Sequence, residues 1–153
     1  MRALVIGTGA REHALCLALS RDPAVTALAW APGNGGTAGV AEQLAVDPMD
    51  PAAVAALAQE WGADLVVGGP EAPLGAGVAD AVRAAGIPAF GPSAAAAQIE
   101  GSKSFAKDVM TAAGVPTAAS STFTSADDCV AHLAEASAPY VVKADGLAAG
   151  KGV

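Results

Sequence analysis

Residues 2–14 read RALVIGTGAREHA, and within them an apolar strand pattern changes to a helical pattern across Gly7 and Gly9. A short apolar run before glycines predicts a buried strand, and the residues that follow predict a helix continuing to about Ser20. The backbone N–H groups at the start of such a helix attract phosphate or carboxylate groups. This strand–turn–helix unit therefore predicts an α/β fold with a ligand-binding edge at the turn.

The same alternation of strand and helix recurs through the first hundred residues. Asp50 is predicted as a helix N-cap, Pro51 as the first helical residue and Gly62 as the stop after a helix reaching Trp61. The other predicted strands cover residues 25–30, 44–46, 64–68 and 87–90, and the other predicted helices end at 85 or begin after Ser93 and Ser102. Repeated βα units of this length predict a doubly wound parallel sheet.

The pattern changes after Pro116. A strand is predicted over residues 120–123, a helix capped by Ser125 over 126–136, and an apolar strand over 140–142. On this pattern alone, a domain boundary is expected near residues 114–119. Because the sequence then stops inside the glycine-rich stretch GLAAGKGV, we expect the chain to be the N-terminal portion of a longer enzyme.

Charge and composition exclude several functions. The chain has 8 basic and 15 acidic residues, a formal net charge of −7, and its four lysines all lie in the last third. A nucleic-acid surface needs clustered cations, so nucleic acid is not an expected partner. Although 53% of the residues are hydrophobic, no apolar run reaches the roughly 18 residues of a membrane span, and no membrane partner is expected.

The N-terminus enters the first strand without a signal-like segment, which favours a cytoplasmic protein. The two cysteines, Cys16 and Cys129, lie within helical patterns and have no metal-ligand spacing to His13 or His132. They are therefore expected to be free thiols in a reducing compartment.

The first turn departs from the dinucleotide fingerprint, because Glu12 stands where the third glycine is required. No acidic residue clearly ends the second strand either, so an NAD site is disfavoured. A tight turn without a ligand remains an alternative. Arg11, a planar bidentate donor, suits a phosphate as well as it suits a solvated helix turn. His13 is expected to be a packing or surface residue.

Two further loops follow apolar strands. PGNGGTA, from Pro32 to Ala38, offers successive backbone N–H groups, with Asn34 and Thr37 as side-chain donors; a simple turn is the alternative. GGPEAPL places Glu71 after a buried strand, where a carboxylate would bind an amine or ribose hydroxyls, or else cap a helix. In a parallel sheet these loops converge with the first turn.

The last loop carries lysines. Lys143 ends the segment YVVK, and the glycine-rich segment GLAAGKG that follows contains Lys151. Lysine ammonium groups beside backbone N–H groups suit a triphosphate. The spacing from Gly146 to Gly150 is one residue too short for a Walker A loop, and Gly152 replaces the required Ser or Thr. A nucleotide loop of another class is the better interpretation.

The chain closely resembles the phosphoribosylamine–glycine ligase family (glycinamide ribonucleotide synthetases) of the ATP-grasp superfamily. The resemblance spans all 153 residues and rests on five motifs in order: GTGAREHA, APGNGGTA, GGPEAPL, FGPSAAAAQIEGSKSFAKDVM and VVKADGLAAGKGV. It implies a Rossmann-like pre-ATP-grasp domain over residues 1–101, followed by the start of an α+β ATP-grasp domain over residues 102–153.

The resemblance also implies a reaction. Members of the family join glycine to 5-phosphoribosylamine in purine biosynthesis, with ATP and Mg²⁺ or Mn²⁺, and release ADP and phosphate through glycyl phosphate. The positions matching the family's ATP-binding residues are Lys103, Lys143, Gly150, Lys151 and Gly152. Those matching its substrate-binding rim are Gly9, Ala10, Arg11 and Glu71, with Asn34, Gly35, Gly36 and Thr37 on the same rim.

The family's metal ligands are expected beyond Val153, so no catalytic or metal-binding residue is assigned and the 153 residues alone are expected to be inactive. Lys107 is expected on a solvated helix face. Two alternatives remain: another ATP-grasp carboxylate–amine ligase, and a non-catalytic module that binds a nucleotide or sugar phosphate.

Overall fold

The computed structural model describes residues 1–147. The chain divides into two units, Met1–Ala97 and Gln98–Val153, and each is described by itself. The predicted ATP-binding residues Gly150, Lys151 and Gly152 lie outside the described residues.

Five parallel strands form the sheet of the first unit, in the order β3-β2-β1-β4-β5. This order confirms the predicted doubly wound sheet, because the chain moves outward from β1 to one edge and then crosses back to β4 on its other side. The strands are β1 (Arg2–Gly7), β2 (Ala27–Pro32), β3 (Glu42–Gln43), β4 (Leu65–Gly68) and β5 (Ala89–Phe90). The helices are α1 (Ala10–Leu19), α2 (Pro51–Trp61), α3 (Glu71–Gly75) and α4 (Val78–Ala84); α5 (Ala94–Gly101) follows β5.

Alternate residues of β1 enter two separate cores. Leu4 and Ile6 are fully buried in a cluster that includes residues of α2 and α4. Val5 is fully buried on the other face with Trp30 of β2 and Cys16 of α1. Since helices cover both faces of the sheet, its central strands read as continuous apolar runs.

The helix signals in the sequence are confirmed. The Asp50 carboxylate accepts hydrogen bonds from the N–H groups of Ala52 and Ala53 at 3.0 Å, so it caps α2. At the other end of α2, Gly62 adopts the left-handed region with φ of 71°, which a glycine enters without steric cost.

The strand predicted over residues 44–46 lies instead at Glu42–Gln43, which pair with Ala29 and Trp30 of β2. Leu44 and Val46 are partly buried against the α2–α4 side of the core. These apolar residues therefore belong to a connecting segment that packs on the core, and not to a strand.

The described part of the second unit, residues 98–147, is helical. It contains α6 (Lys103–Ala112) and α7 (Ala126–Glu135). Each helix begins as predicted, because Ser102 accepts from the Phe105 N–H and Ser125 accepts from the Asp128 N–H. These serine caps satisfy N–H groups that have no partner within their own helix.

The strands predicted over residues 120–123 and 140–142 are wrong for this structure. Neither segment pairs with another strand within residues 98–147, and Tyr140, Val141 and Val142 are all more than half exposed. An extended segment becomes a strand only when a neighbouring backbone accepts and donates its hydrogen bonds. Apolar composition alone does not supply that neighbour.

Lys107 is partly exposed on α6, in keeping with the predicted solvated helix face, and its side chain also has partners in the following segment. Its ammonium group donates to the Thr117 hydroxyl at 2.7 Å and to the Ala118 carbonyl at 2.6 Å. Lys107 therefore ties α6 to the segment that follows it.

Both cysteines are free, as predicted. Burial, with the Glu12 charge as the second cause, raises the pKa of Cys16 to about 11, whereas Cys129 is partly exposed.

Because the thiolate is the reactive form, we expect Cys129 to react with a thiol reagent at pH 8 at least about 100-fold faster than Cys16. Mass spectrometry of the labelled chain over time measures both rates. The control is Cys129→Ser, which should leave only slow labelling; equal rates for the two cysteines would contradict the prediction.

Candidate functional site

The candidate site lies at the carboxyl ends of β1 and β4 in the first unit. These neighbouring strands continue into helices on opposite sides of the sheet. Cys16 of α1 is buried on one face, and Val78 and Val82 of α4 are buried on the other. The connections diverge at this point and leave a crevice, which is where open α/β sheets bind ligands.

Arg11 and Glu71 meet across this divergence. Arg11 lies in the first turn of α1, and Glu71 is the first residue of α3. The Arg11 guanidinium donates to the Glu71 carboxylate at 2.8 Å and to the Gly69 carbonyl at 2.9 Å. The structure thus brings together two residues that the sequence analysis assigned to separate loops.

This ion pair is open to solvent, with 60% of the Arg11 side chain and 43% of the Glu71 side chain exposed. The backbone N–H of Glu71 and the hydrogen bond from Arg11 hold the pKa of the Glu71 carboxyl below its usual range. Exposed pairs contribute only about 0–1 kcal/mol to stability. The pair's main effect is to orient an ionised carboxylate and a guanidinium side by side at the sheet edge.

Glu12 is buried beneath the same turns, with 3% of its surface exposed. Its carboxylate accepts from the Gly9 N–H at 2.7 Å. A Cβ atom at Gly7, Gly9 or Gly69 would lie within 2.8 Å of a Glu12 atom. The three glycines therefore provide the room that this side chain fills, and the Gly9 N–H, predicted to face a substrate, already has an acceptor.

This role of Glu12 was not predicted from the sequence, where the residue stood out only as a departure from the dinucleotide fingerprint. The signal was present, because a glutamate three residues after a helix N-cap is the second half of a capping box. A carboxylate at this helix start is also unfavourable for a pyrophosphate group, since the two negative charges would repel.

The loop from Asn34 to Thr37 is closed by its own polar groups. Asn34 donates from its side-chain amide to the Thr8 carbonyl at 2.8 Å and accepts from the Gly36 N–H at 2.8 Å. Thr37 is buried, with 1% of its surface exposed. Its hydroxyl accepts a hydrogen bond from the Asn34 N–H and donates one to the Asn34 carbonyl. These side chains shape the loop and join it to the first turn, while Gly35 borders open space.

His13 supports this loop by packing. Its ring stacks on Trp30 with the ring centres 5.6 Å apart, and a Cβ at Gly36 would approach its Cε1 to 2.8 Å. The expected packing role of His13 is confirmed.

An open cleft of about 680 Å³ extends from Arg11 along the carboxyl ends of β4 and β5. Its lining is mainly apolar and glycine-rich: Arg11, Leu15, Gly68, Gly69, Leu74, Arg83, Ala89, Phe90, Gly91 and Pro92. Phe90 is 69% exposed at its rim. Neither Phe90 nor Arg83 was predicted as a site residue, although Phe90 ends a strand of the parallel sheet, a position that could have identified it.

Arg83 fixes the far wall of this cleft. The Arg83 guanidinium donates to the carbonyls of Ala89 and Gly91. The Asp80 carboxylate lies 3.7 Å from the same guanidinium and accepts from the Ala94 N–H. Two charged residues of α4 thereby hold the loop that follows β5.

In the second unit, the predicted ATP-binding residue Lys103 lies beside the segment Asp145–Gly146. The Asp145 carboxylate accepts from the N–H of Lys103 and from the Ser104 hydroxyl, the latter at 2.6 Å. The Lys103 ammonium donates to the Gly146 carbonyl at 2.6 Å. Lys143 is exposed.

Asp145 is a residue that the sequence analysis missed. The Ser104 hydroxyl, followed by the N–H groups of Gly146, Lys103 and Ser104, holds the pKa of the Asp145 carboxyl well below its usual range. An acidic residue is favourable at the positive end of a helix. No local signal identified it, because 42 residues separate Asp145 from Lys103.

Within residues 1–147, no three His, Cys, Asp or Glu side chains lie close enough together to hold a metal ion. In the same part of the chain, every helix is too short or too polar to traverse a bilayer.

Two family models match the chain in succession. The model described as phosphoribosylglycinamide synthetase, N domain, matches residues 1–100, and the model described as phosphoribosylglycinamide synthetase, ATP-grasp (A) domain, matches residues 101–153. Together they cover the whole chain.

Curated relatives agree with these models. A phosphoribosylamine–glycine ligase of Streptomyces coelicolor is 68% identical over 153 residues, which is all of this chain and 37% of the relative. One of Mycobacterium tuberculosis is 61% identical over 158 aligned residues, again all of this chain and 37% of the relative. The crystal structure of phosphoribosylamine–glycine ligase from Thermotoga maritima matches with a TM-score of 0.76 and 28% identity, over 99% of this chain and 35% of that one.

The close contact between Gly69 and Glu12 predicts a substitution effect. We expect Gly69→Ala to lower the free energy of unfolding by roughly 1–3 kcal/mol, because its Cβ would lie 2.1 Å from Glu12 Oε1. Urea denaturation followed by circular dichroism measures the change. Gly75→Ala is the matched control, since its Cβ meets nothing within 4 Å. The same loss of stability in both variants would contradict the role given to Glu12.

The lowered pKa of Asp145 predicts a pH dependence. Because the folded-state pKa lies below the ordinary value of 3.8, the carboxylate's stabilising effect is full above that value and is lost as the pH falls through the folded-state pKa. The difference in unfolding free energy between the native chain and Asp145→Asn should therefore be constant from pH 7 to about pH 5 and shrink below it. Ser125→Ala, which removes a cap that does not titrate, should show no such change. A constant Asp145→Asn difference down to pH 2.5 would contradict the prediction.

Proposed function

The chain belongs to the phosphoribosylglycinamide synthetase family, and from that membership we propose that it forms the N domain and part of the ATP-grasp domain of an ATP-dependent ligase. The proposed enzyme joins glycine to 5-phosphoribosylamine and produces glycinamide ribonucleotide, ADP and phosphate. The chain spans 37% of the length of the curated relatives described above.

One observation carries this proposal. The two consecutive family models leave no residue of the chain unmatched, and both describe domains of the same enzyme. Another ATP-grasp ligase would share the second domain type without this pairing.

The proposed chemistry proceeds in two steps. A carboxylate oxygen of glycine attacks the γ-phosphorus of ATP, the bond to the β-phosphate oxygen breaks, and glycyl phosphate and ADP form. The amine of phosphoribosylamine then attacks the acyl carbon, loses a proton and expels phosphate, which leaves an amide. Activation is needed because a carboxylate is a poor electrophile, and the protein's contribution is to align reactants and stabilise phosphate charge.

The first unit is proposed to hold phosphoribosylamine. Arg11 keeps 60% of its side chain exposed beside Glu71, so the pair offers guanidinium donors to a phosphate and carboxylate acceptors to hydroxyl or amine groups. Gly9 and Ala10 form the start of the same turn, and Asn34, Gly35, Gly36 and Thr37 shape the neighbouring rim. The cleft of about 680 Å³ beside Arg11 provides the volume.

The second unit is proposed to hold ATP. Lys103 and Lys143 supply positive charge, and Gly150, Lys151 and Gly152, which lie outside the described residues, are assigned to the loop that covers the phosphates. Enclosing the phosphates would exclude water from the hydrolysable glycyl phosphate.

A divalent cation, Mg²⁺ or Mn²⁺, is part of the proposed reaction. The described residues do not fit such an ion, because they contain no cluster of three candidate ligands. Its ligands are assigned to the part of the relatives that this chain does not match. We further propose that the enzyme works in the cytoplasm.

A chimera tests the proposed function. This chain replaces the aligned 153-residue segment of the Streptomyces coelicolor relative, to which it is 68% identical. We expect ADP formation that requires both glycine and phosphoribosylamine, with kcat/KM within about tenfold of the relative's own value. The 153-residue chain alone should form no ADP, since it spans 37% of the relative and its described residues contain no group of three candidate metal ligands. An inactive but folded chimera, or turnover by the isolated chain, would overturn the corresponding part of the proposal.

Arg11 is the sharpest single test of the substrate site. In the chimera, we expect Arg11→Ala to raise KM for phosphoribosylamine by about 10- to 100-fold, because a charge-assisted hydrogen bond contributes about 1.5–3 kcal/mol. Arg11→Lys should recover part of the loss, as it restores the charge without the bidentate geometry. The matched control is Arg21→Ala, an exposed arginine just beyond the end of α1. Equal KM values for Arg11→Ala and Arg21→Ala would remove Arg11 from the site.

A further inference from the structure

We propose that Asp145 is a positioning residue for Lys103, acting by holding the segment Asp145–Gly146 against the start of α6. The inference rests on the proposed function, because it assigns Lys103 to ATP. Asp145 itself is given no contact with substrate.

The link is built from five donors on one carboxylate. Asp145 Oδ1 accepts from the N–H groups of Lys103, Ser104 and Gly146, and Oδ2 accepts from the hydroxyls of Ser102 and Ser104. A carboxylate has roughly four lone-pair sites, so five donors leave none of them without a hydrogen bond. Asp145 is thereby fixed in place although its side chain is exposed.

The helix does not need Asp145 as its N-cap. The Ser102 hydroxyl already caps α6 by accepting from the Phe105 N–H at 3.2 Å. The start of α7 is likewise capped by a serine, because the Ser125 hydroxyl accepts from the Asp128 N–H. The additional carboxylate at α6 therefore has a different consequence: it joins two segments 42 residues apart.

That junction sets the place of the Lys103 ammonium group. The peptide that follows Asp145 presents the Gly146 carbonyl, and the Lys103 ammonium donates to it at 2.6 Å. Lysine has a long flexible side chain that loses rotamer entropy when it is fixed. An anchored carbonyl offsets part of that loss before the ligand arrives, which is preorganisation.

The acceptor's chemistry favours a function in anion binding. A carbonyl oxygen is neutral, so it positions the ammonium without cancelling its charge as a carboxylate partner would. Lys103 thus keeps a full positive charge for a phosphate group. The Asp145 charge is instead directed to the backbone N–H groups of α6, where the helix dipole favours it.

The test uses the chimera with Asp145→Ala, Asp145→Asn and Ser125→Ala. We expect Asp145→Ala to raise KM for ATP about tenfold, with kcat at saturating ATP changed by less than about threefold, because preorganisation acts on binding. Asp145→Asn, which keeps an acceptor oxygen in the same place, should lie between Asp145→Ala and the native sequence. Ser125→Ala removes a serine cap in the same unit and should leave KM for ATP unchanged.

A second measurement reports on Lys103 itself in the 153-residue chain. We expect acetylation of Lys103 by a water-soluble reagent, followed by mass spectrometry, to become at least about threefold faster in Asp145→Ala, since the ammonium then lacks its fixed acceptor. Labelling of the exposed Lys143 should change less.

The outcomes separate the two proposals. A native chimera without ligase activity would overturn the proposed function, while the labelling rates would still decide whether Asp145 holds Lys103. An active native chimera whose Asp145→Ala variant keeps its KM for ATP would overturn the positioning role, as would an equal rise in Ser125→Ala. If Asp145→Ala does not fold, Asp145→Asn and Ser104→Ala decide, and both should show a smaller rise in KM and faster Lys103 labelling.

Discussion

The buried carboxylate of Glu12 is the constraint on which the first unit's ligand edge depends. It lies where the turns after β1 and β4 come together, and it takes the Gly9 N–H as its partner. Any side chain at Gly7 or Gly69 would collide with it. The backbone ladder pairs β1 with β4, and Glu12 fills the space between the glycine turns that follow these two strands. Arg11, the residue before Glu12, and Glu71, two residues after Gly69, form their ion pair beside these turns.

Local signals explain why much of this fold could be predicted from the sequence. A proline after Asp50 and a glycine after Trp61 define both ends of α2, and each acts within four residues of the helix. The serine caps of α6 and α7 are equally local. The parallel sheet follows from repetition of the βα unit, because few connections satisfy right-handed crossovers with short loops.

The errors and omissions have a different origin. Residues 140–142 have the composition of a strand, but a strand also requires a partner backbone, and residues 98–147 provide none. The contacts of Glu12 with Gly69 and of Asp145 with Ser104 join residues far apart in sequence. Hydrophobic periodicity carries no information about such pairs. Of the predicted site, the sequence therefore located the loops but not which side chains face one another.

The few cations of this acidic chain are held in two contrasting ways. With 8 basic residues and a net charge of −7, the chain as a whole repels phosphates, so phosphate binding would depend on individual cations. Arg11 is paired with the Glu71 carboxylate, which offsets part of its positive charge but orients a planar guanidinium that can form bidentate hydrogen bonds. Lys103 is paired with the neutral Gly146 carbonyl, which positions the ammonium group without offsetting its positive charge. A sugar phosphate, which also presents hydroxyl groups, suits the mixed pair, whereas a polyphosphate suits the uncompensated charge. The proposed division of substrates between the two units is thus consistent with how each unit holds its cation.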